Sequence, residues 1–215
     1  MLTTKKKLYH SNIFNWGNRI TCPYQFNSLA KGYLKIIGSV IARIGSKRLP
    51  YKNLLPYRGV PLVLRAVQQL IQSKRFDQVV LSTDSELIAR TCMQEDVSII
   101  RRPDELSDDS TPSIPVFQHI LHHFPCDIHL NYNCNFPECP YSVFDEAIEV
   151  CKEHGESLSD PYAVWAQTSD CLASYGDPLA ITAVQFRADG VQAIDIHEVD
   201  DLLHTHQFYQ EKKPW

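Results

Sequence analysis

The feature that most constrains the fold of this chain is a repeated alternation of short apolar runs with amphipathic segments. The apolar runs have the length and β-branched content of buried strands, and they lie at 36–42, 77–83, 97–100 and 127–132. The segments between them place apolar residues at helical spacing over about ten to fifteen residues. Strands that alternate with helices in this way predict an α/β fold, with a mostly parallel sheet covered by helices on both faces.

The alternation also predicts how the chain is divided. Residues 1–34 show no sustained helical or strand period, so we interpret them as an N-terminal extension. Residues 35–210 are long enough for a single α/β domain with a sizeable core. Toward the end of that domain, the stretches 160–167 and 177–186 are predicted to form two further strands.

Charge and hydropathy exclude several classes of partner. The net charge of −4 argues against binding to nucleic acid or to a membrane surface, since both depend on a broad excess of Lys and Arg. No apolar run approaches the roughly 20 residues that span a bilayer, and the N-terminus lacks the apolar core of a signal peptide. We therefore expect a cytoplasmic protein.

The cysteines indicate thiols rather than disulfides or metal ligands. There are seven, an odd number without a regular framework. One group could be interpreted as a zinc cluster: Cys126, Cys134, Cys139 and Cys151, with His129 among them. No C-x-x-C pair is present, although structural zinc sites usually contain close ligand pairs. We expect buried or incidental thiols instead.

A dense cluster of positive charge follows the first predicted strand. The stretch IARIGSKRLPYKN contains four cations: Arg43, Lys47, Arg48 and Lys52. A loop that leaves a parallel strand presents backbone N–H groups to anions, and Gly45 allows close approach. Neither a P-loop nor a G-x-G-x-x-G dinucleotide motif is present. The residues alone are compatible with a triphosphate site or with a solvated basic loop.

The surrounding motifs distinguish between these two interpretations. Four ordered stretches lie at 40–62, 76–90, 101–111 and 193–202. The first resembles the A-R-x-x-S-K, L-P-x-K-N and G-x-P-L signature of the acylneuraminate and KDO-type cytidylyltransferases. The second, third and fourth resemble that family's S-T-D turn, its R-P-x-E-L-x-x-D loop and its I-D-I-D-x-x-x-D-L motif. The resemblance covers roughly residues 36–208.

The resemblance implies a fold and an activity. The fold would be a Rossmann-like three-layer sandwich of the nucleotide-diphospho-sugar transferase type. The enzyme would be a CTP-dependent nucleotidyltransferase, which couples CTP to an acidic sugar or related small acid and releases pyrophosphate. Mg²⁺ would be its cofactor, because hard cations suit oxygen ligands on phosphates.

The resemblance also assigns the nucleotide site. Arg43, Lys47 and Lys52 would hold the phosphates of CTP and act in catalysis, while Asn53 and Ser82 would help to recognise the nucleoside. The other expected nucleotide-binding residues are Ala42, Ser46, Asp84 and Arg102. Asp109 would belong to the loop beside the nucleotide.

On the acceptor side the sequence departs from the family pattern. Where the sialic-acid enzymes have Q-P-T-S-P-L-R, this chain has NCNFPEC, with Asn133, Asn135 and Cys139 replacing Gln, Thr and Arg. Asn133 and Asn135 are our candidates for residues on the acceptor side of the site. The region between 151 and 192 normally supplies a dimer arm and is shorter here, so a homodimer is an expectation that the sequence leaves open.

The metal motif departs as well. Asp195 would bind Mg²⁺, but His197 stands where the family has a second carboxylate, and imidazole favours softer metals than Mg²⁺. Asp201 would be a nearby structural acid. Asp195 and Asp84 each precede a predicted helix, so helix capping is an alternative role for both.

These departures from the family pattern leave two other functions open. One is a degenerate homologue that binds a nucleotide without turnover. The other is a cytidylyltransferase that loads a non-sugar acceptor such as a phosphonate.

Overall fold

The fold is organised around one seven-stranded sheet. The computed structural model describes residues 33–212, with side chains up to residue 208. The strands are β1 Ile36–Ile41, β2 Pro56–Tyr57, β3 Val60–Pro61, β4 Gln78–Thr83, β5 Ser98–Arg101, β6 Ile128–Tyr132, β7 Glu156–Asp160, β8 Val164–Thr168 and β9 Val184–Arg187. The helices are α1 Leu62–Ser73, α2 Glu86–Cys92, α3 Ser113–His123, α4 Tyr141–His154, α5 Ser169–Ala173 and α6 Val199–Lys212.

The strand order confirms the predicted, mostly parallel α/β fold. The large sheet runs β5-β4-β1-β6-β8-β7-β9, and β2 and β3 form a separate antiparallel pair. Strand β8 is antiparallel to both of its neighbours, whereas every other pair in the large sheet is parallel. Strand β1 is therefore an interior strand, the third of the seven, and the loop that follows it leaves the carboxyl-terminal edge between β4 and β6.

Helices cover both faces of the sheet, which confirms the three-layer arrangement. Helices α1, α2 and α4 pack in the largest apolar cluster, which includes Leu70, Ile88 and Phe144. Helices α3 and α5 contribute to separate clusters with Phe117 and Leu172. The apolar side chains on alternate strand positions therefore contact different helix layers, as the pleat requires.

The sequence missed one strand and overextended another. Strand β7 has the sequence ESLSD. Most of its side chains are polar, so hydrophobic periodicity does not predict a strand there. Its buried polar groups have partners: Ser157 Oγ donates to the Ala147 carbonyl at 2.7 Å, and Glu156 accepts from Trp165 Nε1 at 2.8 Å. Within 177–186 only the last three residues belong to a strand, β9.

The predicted extension and domain boundaries are not tested by these elements. Residues 1–32 lie outside the described residues, so the predicted role of 1–34 as an extension stays a prediction. The 35–210 domain likewise stays a prediction. Within residues 33–212 no helix has the length and apolarity needed to cross a membrane.

The thiol prediction is confirmed for the cysteines that the structure describes. None of these six forms a disulfide bond, and five of them are buried. Across residues 33–212, no three His, Cys, Asp or Glu side chains are grouped so as to hold a metal ion, so the zinc alternative is wrong. Burial raises the pKa of Cys134 to about 11, which keeps its thiol protonated at neutral pH.

The C-terminal helix supports the loop that follows β1. Leu202 and Phe208 of α6 pack against a cluster that contains Leu49 from that loop and Tyr57 from β2. The ring of His206 lies 4.5 Å from the ring of Tyr57, measured between centroids. The chain therefore returns at its end to the edge of the sheet from which the basic loop emerges.

A prediction concerns the close approach of Phe76 to β1. A Cβ atom added at Gly38 would lie 2.8 Å from Cγ of the Phe76 ring. We expect Gly38→Ala to lower the free energy of unfolding by about 1–3 kcal/mol, as overpacking of a core does, measured by urea denaturation.

Gly45→Ala is the matched control, because a Cβ at Gly45 meets no atom of the described part of the chain within 4 Å. Its effect on stability should stay within about 0.5 kcal/mol. Equal stability of the two variants would contradict the packing argument.

Candidate functional site

The basic loop forms one wall of a cavity at the carboxyl-terminal edge of the sheet. The cavity has a volume of about 450 Å³ and lies where ligands usually bind in α/β sheets. Among the described residues, five Lys and Arg side chains line it: Arg43, Lys47, Arg48, Lys52 and Arg102. The loop is therefore a concave, positively charged surface.

Hydrogen bonds hold the backbone of this loop in place. Asn53 Nδ2 donates to the Arg43 carbonyl at 2.8 Å, and Asn53 Oδ1 accepts from Cys134 Sγ at 3.2 Å. The Ala42 N–H donates to the Ser82 carbonyl at 3.0 Å, which extends the pairing of β1 with β4 by one residue. The loop thus begins on a rigid strand and is tied back to it at Asn53.

Asp84 stabilises the loop rather than a helix. Its Oδ1 accepts from the Ile44 N–H at 2.9 Å. The cap of α2 is instead Ser85, whose hydroxyl accepts from the Ile88 N–H. The capping alternative for Asp84 is therefore wrong, and Asp84 lies behind the loop, outside the cavity lining.

Asp109 lies between two of the cations expected to bind phosphate. Its carboxylate forms an ion pair with Arg43, and its Oδ2 lies 2.7 Å from Lys47 Nζ. The hydrogen bond with Asp109 raises the pKa of Lys47, and the same bond lowers the pKa of Asp109. Both groups are therefore charged at neutral pH, and the carboxylate contacts cations that could equally contact phosphate oxygens.

The other two motif cations are more deeply placed. Lys52 Nζ donates to the Ile196 carbonyl at 3.0 Å, and burial lowers the pKa of this amine. Arg102 is only 4% exposed, and its Nη2 donates to the Ser82 carbonyl at 2.8 Å. Burial lowers the pKa of Arg102 to about 10, so it keeps its charge at pH 7. No carboxylate of residues 33–208 lies within ion-pair distance of Arg102, which indicates a place for an electron-rich ligand group.

Polar groups from the loop after β6, the strand next to β1, form another part of the cavity wall. Asn133 and Asn135 line the cavity together with Tyr162. Asn133 Nδ2 donates to the Tyr162 carbonyl at 3.2 Å, and Asn133 Oδ1 accepts from the Asn135 N–H at 3.1 Å. Arg65 holds the far end of this loop by donating to the Pro137 carbonyl at 2.7 Å. Hydrogen bonds therefore hold the acceptor-side candidates in place in the same cavity as the cations.

The expected metal-binding residues lie next to each other beside the cavity, which His197 lines and Asp195 does not. Asp195 Oδ1 accepts from Asn135 Nδ2 at 2.7 Å, and its Oδ2 lies 2.9 Å from His197 Nε2. Asp201 Oδ2 accepts from the N–H groups of His197 and Glu198, just before α6. Asp201 therefore stabilises the start of α6. Asp195 contacts Asn135 and His197 instead, so the capping alternative for Asp195 is wrong.

Most of the expected site residues meet in this cavity. Those that line it are Arg43, Ser46, Lys47, Lys52, Asn53, Arg102, Asn133, Asn135 and His197. Four others do not line it: Ala42, Ser82, Asp84 and Asp195. Ser82 is fully buried in β4 beneath Arg102, so its expected direct contact with the nucleoside is replaced by support of that guanidinium.

Several lining residues were not singled out from the sequence. The polar ones are Asp108, Thr111, Ser113, Asn131 and Tyr162, and the apolar ones are Ile41, Leu106 and Val116. Arg48 also lines the cavity, although the sequence named it only as a member of the basic cluster and not as a site residue. Asn131 did carry a signal, because an amide within the buried run DIHLNY is unusual in a strand. The others lack any local pattern and are brought to the cavity by the fold.

Comparison with known proteins places this site in a family. The sequence model described as cytidylyltransferase matches residues 37–206. An N-acylneuraminate cytidylyltransferase of Streptococcus agalactiae serotype III (strain NEM316) is 37% identical over 90 residues, 41% of this chain and 22% of that protein. A pseudaminic acid cytidylyltransferase of Campylobacter jejuni subsp. jejuni serotype O:2 (strain ATCC 700819 / NCTC 11168) is 35% identical over 89 residues, 41% and 38% of the two chains. The match therefore spans well under half of either relative.

Solved structures share the fold at low sequence identity. A CMP:2-keto-3-deoxy-manno-octonic acid synthetase complexed with CTP has a TM-score of 0.70 at 13% identity, covering 83% of this chain and 100% of that one. A Mycobacterium tuberculosis H37Rv protein in complex with manganese has a TM-score of 0.58 at 15% identity, covering 80% and 98%. These likenesses confirm the nucleotidyltransferase-type fold. Because the family model spans the strands, the basic loop and the motif at 193–202 together, this chain belongs to the cytidylyltransferase family.

Proposed function

We propose that this protein transfers CMP from CTP to a hydroxyl of an acidic sugar or related small acid and releases pyrophosphate. The observation that carries the proposal is the convergence of five cations on one cavity that also has a polar wall at Asn133 and Asn135. The relatives named as N-acylneuraminate and pseudaminic acid cytidylyltransferases support a nonulosonic-type acid as the acceptor.

The residues act mainly by positioning and by charge. An acceptor hydroxyl oxygen bonds to the α-phosphorus, the bond from that phosphorus to the bridging oxygen breaks, and the hydroxyl proton passes to water. Arg43 and Lys47 exchange Asp109 for phosphate oxygens, and Lys52 and Arg102 hold charge at fixed points. Such chemistry needs in-line placement and cations on the phosphates more than a covalent step.

A divalent cation fits the donor set beside the cavity. Asp195 offers a carboxylate and His197 an imidazole at 2.9 Å from it, and in nucleotide sites substrate phosphates usually complete the coordination. When bound, the metal neutralises phosphate charge as a Lewis acid. Mg²⁺ is the expected ion, but one carboxylate with one imidazole suits Mn²⁺ better than it suits Mg²⁺.

Assembly and location stay expectations. A homodimer is supported by apolar side chains beside the edge strand β9, where Leu179 is 77% exposed and Ile181 54% exposed. We also expect a cytoplasmic protein that binds neither nucleic acid nor membranes, in keeping with its net charge of −4.

The activity itself provides the first test. With a divalent metal and CTP, we expect pyrophosphate release only when an acceptor such as a nonulosonic acid is added, followed in a coupled phosphate assay. ATP and GTP should not replace CTP. Tight binding of a purine triphosphate with none of CTP would overturn the cytidine assignment, and CTP binding without turnover on any acid would favour the degenerate homologue.

The basic loop provides the second test. Arg43→Ala and Lys47→Ala should each weaken CTP binding roughly ten- to a hundredfold, because each removes a charge-assisted hydrogen bond to phosphate. Calorimetric titration with CTP gives the dissociation constants.

Arg101→Ala is the matched control, since Arg101 is exposed on β5 and does not line the cavity. It should leave CTP affinity unchanged. If Arg101→Ala weakens binding as much as Lys47→Ala does, the effect is long-range charge and the loop is not the phosphate site.

The metal motif provides the third test. His197→Asp restores two carboxylates, so we expect the ratio of the rate with Mn²⁺ to the rate with Mg²⁺ to fall at least about tenfold. Electron paramagnetic resonance of bound Mn²⁺ in the presence of CTP provides a second measurement. Mg²⁺ should displace Mn²⁺ less effectively from the wild-type protein than from the variant. An unchanged ratio and unchanged competition would remove His197 from the metal site.

A further inference from the structure

The carboxylate of Asp109 joins two loops that line the cavity. Asp109 lies between β5 and α3, whereas its partners Arg43 and Lys47 follow β1, and β4 separates β5 from β1 in the sheet. Each carboxylate oxygen contacts a different cation: Oδ1 pairs with Arg43, and Oδ2 lies 2.7 Å from Lys47 Nζ. The two ion pairs therefore bridge loops from strands that are not neighbours in the sheet.

Asp109 engages these two cations in the way that a phosphate group would. A phosphate also presents anionic oxygens that accept from an Arg fork and from a Lys ammonium. The hydrogen bond with Lys47 lowers the pKa of Asp109, so the carboxylate is ionised at neutral pH. Within residues 33–208, Arg43 and Lys47 form ion pairs with no other carboxylate. A phosphate that binds both cations therefore has to displace Asp109.

The more deeply placed cations of the cavity have no carboxylate to displace. Lys52 donates to the Ile196 carbonyl, and Arg102 donates to the Ser82 carbonyl. The ion pairs that the described residues form with the cations of the cavity all involve Asp109. Asp109 therefore opposes phosphate binding at one place only, the exposed pair at the start of the basic loop.

The strength of this opposition follows from how often the ion pairs are closed. The side chain of Lys47 is 83% exposed, so solvent screens its pair with Asp109 and the pair is weak enough to open. An anion that needs the open form binds with an affinity reduced by the fraction that is open, so pairs closed for about nine-tenths of the time weaken its binding about tenfold. Because Asp109 is tethered beside the cations, it retakes them when an anion leaves.

We propose that Asp109 is an internal competitor for pyrophosphate, which lowers the affinity of Arg43 and Lys47 for this leaving group and so promotes its release after each transfer. Pyrophosphate depends on this effect more than CTP does, because CTP also offers a nucleoside whereas pyrophosphate binds through phosphate oxygens alone. The inference rests on the proposed function, because it assumes that polyphosphate binds at the basic loop.

The first test is calorimetric titration of the full chain with inorganic pyrophosphate at a fixed concentration of Mg²⁺. Asp109→Asn keeps the shape of the side chain and removes its charge, so we expect the dissociation constant of pyrophosphate to fall about three- to tenfold. The inhibition constant of pyrophosphate in the transfer assay should fall by the same factor. Asp109→Ala should shift both constants in the same direction, and thermal denaturation checks that each variant is folded.

Asp108→Asn is the matched control. Asp108 carries the same charge on the same loop and also lines the cavity, but its Oδ1 accepts from the N–H and the hydroxyl of Ser110. The dissociation constant of pyrophosphate should change by no more than about twofold in this variant, since a screened charge is removed and no ion pair is broken. Equal effects of Asp108→Asn and Asp109→Asn would mean that long-range charge alone is responsible, and the inference would be wrong.

A double-mutant cycle tests whether the competition acts through the basic loop. In a Lys47→Ala background one of the two ion pairs is already absent, so Asp109→Asn should tighten pyrophosphate binding less than it does in the wild-type protein. An undiminished effect in that background would contradict the inference.

The possible results separate the inference from the proposed function. If the wild-type protein transfers CMP to an acceptor but Asp109→Asn weakens pyrophosphate binding or leaves it unchanged, Asp109 orders the cations rather than competing for them. The inference is then wrong, while the proposed function stands. If the wild-type protein binds neither CTP nor pyrophosphate, the proposed function and this inference are both overturned.

Discussion

The mutual repulsion of five cations around one cavity is the constraint on which the rest of this structure depends. A loop with that charge needs partners before it can hold one conformation. The fold supplies a different kind of partner to each part: the Asp109 carboxylate to the exposed pair Arg43 and Lys47, and carbonyl oxygens to Lys52 and Arg102. The loop backbone is held separately by Asp84.

This division of partners suits a site that binds and releases a polyanion. The exposed ion pairs to Asp109 are screened by solvent and are individually weak, so a phosphate can replace the carboxylate at small cost. Arg102 and Lys52 stay bonded to backbone carbonyls, so their charges keep fixed positions whether or not phosphate is bound. Two cations can therefore move to the ligand while two remain in place, which combines binding with preorganised electrostatics.

The polar groups on the floor of the cavity follow the same logic at greater depth. Asn131, Ser39 and His129 are neutral at neutral pH, so they cost less to bury than charges would and still carry a direction.

The amino-acid sequence by itself determined the alternation of strands and helices, the position of the basic loop after β1 and the family motifs, because each of these depends on neighbouring residues. Only the tertiary structure revealed the polar strand β7, the buried position of Ser82 and the buried contact between Ser39 and Asn131. Those features depend on contacts between distant parts of the chain: Ser39 and Asn131 are 92 residues apart, and Lys52 and Ile196 are 144 apart. No local pattern encodes such pairs, since burial and hydrogen-bond partners exist only once the strands have been brought side by side.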